Sequence, residues 1–234
     1  MQKPNLYISV NCDCNATGSS TWAFGNTHVL ASIYGPKEAS MANELTHRAF
    51  LDVSVLPVSG VHTMLESDME FYLLQYLERL IDVKDYPRCQ FNIRIQLVSG
   101  PPGHPMTMAA CINALALALL QTSIPLKASV VAVCTSEVDA DSRPITLAID
   151  ISHPSIAKKA KRGNAVDVQI APRGPLVFAA YSGRPRHTPA APISISSSKL
   201  LSLTTLSGEG AEQLCSRALD LYDAMIGHIF VTQS

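Results

Sequence analysis

Apolar and polar positions alternate from the start of the chain. Leu6, Ile8, Val10 and Cys12 fall on one side of an extended segment, as in a half-buried strand. Two more strands are predicted over Thr21 to Phe24 and Thr27 to Tyr34. Gly18-Ser19-Ser20 and Gly25-Asn26-Thr27 read as corners, and Gly35-Pro36 as a stop. A fourth strand runs through Leu51, Val53 and Val55 up to Pro57. The period then changes. Thr63-Met64-Leu65-Glu66 has capping-box spacing, and Met69, Leu73, Tyr76, Leu77 and Leu80 recur at helical intervals. After Pro87, residues Phe91, Ile93, Ile95 and Leu97 alternate with Asn92, Arg94 and Gln96, predicting a strand with one wet face. The segment 106–121, MTMAACINALALALLQ, is apolar on nearly every side and predicts a helix buried mid-molecule. Strands are expected at 128–134, 145–151, 165–171 and 176–181. A proline- and serine-rich stretch follows at 183–199. A last helix at 210–230 carries Leu214, Ala218, Leu221, Met225 and Ile229 on one face.

The order is four strands, helix, strand, buried helix, four strands, helix. That pattern predicts one α+β domain over residues 1–234, with mixed sheets packed against helices. Strands-then-helix occurs twice, which suggests two similar halves.

Composition adds limits. Hydrophobic residues are 47% of 234, enough for a sizeable core, and a net charge of −1 excludes a global basic field. Nucleic-acid contact must therefore be local or supplied by neighbours. Of six cysteines, five are expected inside apolar segments, as small reduced hydrophobes. The one close pair, Cys12-Asp13-Cys14, lacks zinc-knuckle spacing. Met1 to Asn5 is polar and the apolar run from Met108 to Leu120 is short for a bilayer. The expectation is a soluble protein of the cytosol or nucleus.

Candidate chemistry is sparse. The loop GPPGHP (100–105) precedes a helix, as a phosphate loop would. But Pro101, Pro102 and Pro105 have no N–H to offer an anion, so a plain surface loop is expected. His28, His47, His62, His153, His187 and His228 show no metal spacing, and Asp139 and Asp141 flank a turn. Lys158, Lys159, Lys161 and Arg162 form a short basic run, the candidate contact for RNA or a partner; Arg184 and Arg186 are lesser candidates. No metal and no cofactor are expected.

Three stretches carry a resemblance. GSSTWAFGNTHVLASIYGP (18–36), DYPRCQFNIRIQLVSG (85–100) and ACINALALALLQTSIPL (110–126) resemble, in order, the opening meander, the Tyr-Pro-Arg turn with central strand, and the buried helix of the ribonuclease PH family. The resemblance implies the ribonuclease PH-type fold (ribosomal protein S5 domain 2-like). In active members it implies phosphate-dependent removal of 3′ nucleotides from RNA. Such members hold phosphate partly with a Gly-Thr-Arg motif at the start of the buried helix. Alignment on Ile112-Asn113-Ala114 keeps Thr107 but places Met108 at the arginine. Anchoring the family's Asp-Leu-x-Tyr-x-Glu-Asp pattern on Asp150 places Ser155 and Ile156 at its last two acids. Asp167 matches a later acidic position without an evident partner set. The basic N-terminal segment is also expected to be missing, since Met1 to Asn5 alone precede the first strand.

Fold kept and site lost resembles the non-catalytic subunits of the eukaryotic RNA exosome. The resemblance implies as partners other ribonuclease PH-type subunits in a hetero-hexameric ring, S1/KH-domain cap subunits, an associated catalytic exoribonuclease, and RNA, with no membrane. It implies the nucleus, including the nucleolus, and the cytoplasm. Two other classes stay open: an active phosphate-dependent 3′-to-5′ exoribonuclease with a rearranged site, and a nucleotide-binding, kinase-like protein of related fold.

Overall fold

The computed structural model describes residues 6–135, the strands 145–150 and 177–181, and helical residues at 220, 221 and 223–225. Strands β1 (Leu6–Val10), β2 (Gly18–Phe24), β3 (Thr27–Glu38), β4 (Phe50–Leu56) and β5 (Cys89–Ser99) form one sheet, in the order β1-β2-β3-β5-β4. All its neighbours are antiparallel except β4 and β5, which run parallel and so need a crossover. Helix α1 (Met64–Leu80) supplies it, with a short 3-10 turn at Val83–Asp85. Helix α2 (Pro105–Gln121) follows β5. A second sheet, antiparallel, has the order β6-β7-β8, from β6 (Val130–Thr135), β7 (Ile145–Asp150) and β8 (Val177–Tyr181).

Alternation sets which face of the first sheet is wet. Val29, Ala31, Ile33, Phe91, Ile93, Ile95, Leu97 and Val55 all point inward and are buried. In α1 the predicted stripe is buried from Met69 to Leu80, and Thr63 and Glu66 form the reciprocal capping box. Helix α2 lies against β2 and β3 on one side and β6 and β7 on the other, so Thr107 to Leu119 are all buried. Its all-round apolar character follows from having a sheet on each side.

The structure corrects four expectations. Gly18-Ser19-Ser20 is not a corner; it is buried strand, paired to Ile33, Ser32 and Ala31. Small residues stand there because α2 approaches so closely. A Cβ on Gly18 would lie 2.3 Å from the carbonyl oxygen of Ala118, and the Ser20 hydroxyl donates to the carbonyl of Ala114 at 2.6 Å. Gly35-Pro36 does not stop β3, which continues to Glu38 through a cis peptide bond and a register shift between Tyr34 and Lys37. The bulge absorbs the missing proline N–H. The first strand ends at Val10, because Asn11 takes φ 57° and turns the chain. Cys12 and Cys14 therefore lie beyond the strand and are exposed, whereas Cys111 is buried. The expected strand at 165–171, and most of the last helix, lie outside the described residues. Leu221 and Met225 of that helix pack on the core.

Candidate functional site

The start of α2 is where the resemblance places phosphate. His104 is the N-cap, and its Nδ1 accepts from the backbone N–H of Met106 at 3.1 Å. Pro105, the first helical residue, has no N–H to give. The first donors of this helix end are thus taken or missing, and the pull of a helix N-terminus on an anion works through such donors. The loop before it is built for packing. Gly103 donates its N–H to the sulfur of Met69 at 3.2 Å. With φ +73°, its α-carbon faces Leu65 so closely that a Cβ would meet Leu65 Cδ2 at 3.2 Å. Thr107 is buried and its hydroxyl donates to the carbonyl of Pro101 at 2.9 Å. The loop is a surface loop as expected, with His104 as its structural end.

Met108 is 1% exposed. The position that the resemblance aligns with a guanidinium is buried on α2, between the two sheets. Apolar side chains meet water on the segments before the loop and before α1: Val98 near the end of β5, and Leu56, Val58, Val61 and Met64 leading into α1, are all exposed.

Among the described residues, several side chains hold the frame together. Asn113, inside α2, bonds both ways to the backbone of Ala132: Nδ2 donates to its carbonyl at 3.0 Å and Oδ1 accepts from its N–H at 2.7 Å. Amide pairing thus fastens α2 to β6. On the outer face of the first sheet, residues 11–17 fold over β2 and β3. Tyr34 donates its hydroxyl to Asp13 Oδ2 at 2.5 Å, and Asn15 N–H donates to Oδ1 at 2.9 Å. The Tyr34 bond first, then the Asn15 bond, hold the Asp13 carboxyl below its usual range, and the Asp13 bond raises Tyr34. Arg94 lies 5.8 Å from the centre of the Tyr34 ring. His62 pairs with Glu70 at 3.1 Å, and the same Glu70 oxygen accepts from the Val55 N–H; this histidine ties a loop to a helix. Burial pushes the Cys111 thiol up to about 12, leaving it inert.

Ile156, Lys158, Lys159, Lys161 and Arg162 lie outside the described residues, as do Ser155, Asp167, Asp139, Asp141, Arg184, Arg186, His153, His187 and His228. Among the described residues no three His, Cys, Asp or Glu side chains gather as a metal set, and no helix is long and apolar enough to cross a membrane. Sequence reasoning missed the partners of Asn113 and Asp13. Asn113 sits in a quoted motif, but a motif does not show that its amide is spent on a strand nineteen residues on.

A mixed five-stranded sheet and a second antiparallel sheet packed on one buried helix make the ribonuclease PH-type fold. The model of the 3′ exoribonuclease family, domain 1, matches residues 4–125, just over half of the sequence. The chain belongs to this family, the ribonuclease PH family. It is similar to the exosome complex component rrp46 of Schizosaccharomyces pombe, with 36% identity over 110 residues, 47% of this chain and 48% of that protein. It is also similar to the exosome complex exonuclease RRP46 homolog of Arabidopsis thaliana, with 32% identity over 135 residues, 56% of this chain and 55% of that one. The chain spans about half the length of these curated relatives. The crystal structure of rice (Oryza sativa) Rrp46 superposes with TM-score 0.55 at 26% identity, covering 63% of this chain and 76% of that one. An archaeal exosome core chain superposes with TM-score 0.54 over 91% of this chain and 85% of its own; at 14% identity it shows the fold alone.

Proposed function

We propose that this chain is a structural, catalytically inactive subunit of the RNA exosome core ring, supporting 3′-to-5′ RNA processing and degradation. One observation carries the reading. Met108, where active relatives hold phosphate with a guanidinium, is buried in the core, so no cation stands there and none could reach solvent from it. The named relatives, components of exosome complexes, support the ring. Among the six ring positions, the opening Gly-Ser-Ser resembles the subunit called ribosomal RNA-processing protein 46. The partners follow from that place: other ribonuclease PH-type subunits, S1/KH-domain caps, the associated exoribonuclease and RNA, in nucleus, nucleolus and cytoplasm. Lys158, Lys159, Lys161 and Arg162 are the proposed contacts to RNA or a neighbour. Ile156, standing in place of the catalytic acid, is the second lost position.

The test is phosphate-dependent release of nucleoside diphosphates from RNA by the purified chain with magnesium. None is expected, since loss of one electrostatic stabiliser costs roughly a hundred- to a thousandfold and two are lost. Met108→Arg does not restore turnover; it buries an unpaired guanidinium and costs several kcal/mol of stability. Diphosphate release that vanishes in Asp167→Ala overturns the reading.

A further inference from the structure

We propose that Cys12 and Cys14 together bind one monovalent copper ion. Both thiols are free and exposed, and the residue between them is held on every side. Asp13 donates its N–H to the Ser19 hydroxyl at 2.8 Å, and its carbonyl accepts from the Ala16 N–H at 3.3 Å. Its carboxylate accepts from Tyr34 and from Asn15. Two exposed thiols thereby flank one anchored residue beside the outer face of the first sheet. The Cys12 sulfur lies 3.1 Å from the Thr21 hydroxyl, which can donate to a thiolate.

The donor set selects the ion. Both Asp13 oxygens are already engaged, and among the described residues no third His, Cys, Asp or Glu joins the pair. Zinc in protein sites takes four ligands. A soft, closed-shell cation satisfied by two thiolates is monovalent copper. Binding forms two Cu–S bonds and releases one proton from each thiol to solvent; neither copper nor sulfur changes oxidation state.

The probe is Cu(I) itself, titrated anaerobically into the reduced full chain against the chelator bathocuproine disulfonate. Iodoacetamide alkylation of each cysteine is then read by mass spectrometry. One equivalent is expected to bind, with Cys12 and Cys14 protected from alkylation and Cys89 and Cys134 unchanged. Cys12→Ser or Cys14→Ser alone weakens binding by roughly a hundredfold, the loss of a second ligand on the same frame; the double variant loses the equivalent. Equimolar Zn(II) does not displace the copper. The proposal is overturned if the double variant keeps the equivalent, if either single variant binds like the parent, if protection falls on other cysteines, or if zinc displaces the copper. The alkylation pattern of the unsubstituted chain decides the matter even where a variant fails to fold.

Discussion

Gly18→Ala is the most demanding test of the packing between β2 and α2. An added Cβ at Gly18 would lie 2.3 Å from the Ala118 carbonyl oxygen and 2.8 Å from Thr122 Cγ2. Ordinary contact begins at 3.4 Å, so the strand and helix must separate by about 1 Å. The threonine methyl can turn aside, but the Ala118 carbonyl is helix backbone and cannot. Separation would stretch the Ser20–Ala114 bond, 2.6 Å, and the weaker bonds from Asn11 and Ser19 to the Gln121 side chain. Overpacking of this kind costs about 1–3 kcal/mol, and strain on one buried hydrogen bond adds about 1 kcal/mol. The expected loss is therefore about 3 kcal/mol, read by urea unfolding of the chain or of its assembled complex. Gly25→Ala is the control. No atom lies within 4 Å of its Cβ, but its φ is +59°, so only a left-handed penalty of about 1 kcal/mol is expected. If Gly18→Ala proves no more destabilising than Gly25→Ala, the argument that α2 dictates small residues at 18–20 is refuted.

Two further outcomes follow from the framework bonds. Asn113→Ala strips the Ala132 N–H and carbonyl of their partners in a buried place and is expected to cost about 2–4 kcal/mol, measured by thermal unfolding; a change within experimental scatter would mean that water or a rearranged strand replaces the amide. Tyr34→Phe should raise the Asp13 carboxyl pKa toward 3.8, followed by NMR titration. Because the folded value of Asp13 is depressed, its bond stabilises above about pH 4 and is lost as pH falls through the folded value. The raised Tyr34 value adds an alkaline limit, present below 10 and lost as pH climbs through the folded value. The variant should lose both limits, and an unmoved Asp13 titration would show that the bond does not form in solution.

Local pattern alone determined the element order from β1 to α2. Period-2 alternation at Phe91 to Leu97, period 3.6 at Met69 to Leu80, and the Thr63–Glu66 capping box each depend on neighbours a few residues away, so they are legible in one dimension. The unbroken apolar run of α2 likewise announced its central place. What failed was whatever depended on a distant element. Gly18-Ser19-Ser20 has turn composition, yet it is strand, because its smallness answers a helix a hundred residues on. The proline in β3 looked like a terminator until β5 accommodated it with a register shift. The site divides the same way. The reading that Met108 stands in place of a cation comes from the family motif alone, whereas only the packing of two sheets on α2 shows that Met108 is buried. Cys12 looked like the last residue of a half-buried strand, with Cys14 two residues beyond it. The left-handed turn at Asn11 puts them outside the strand, and the bonds around Asp13 hold them there. Burial, register and close approach are properties of pairs of segments, and a single stretch of sequence carries only one member of each pair.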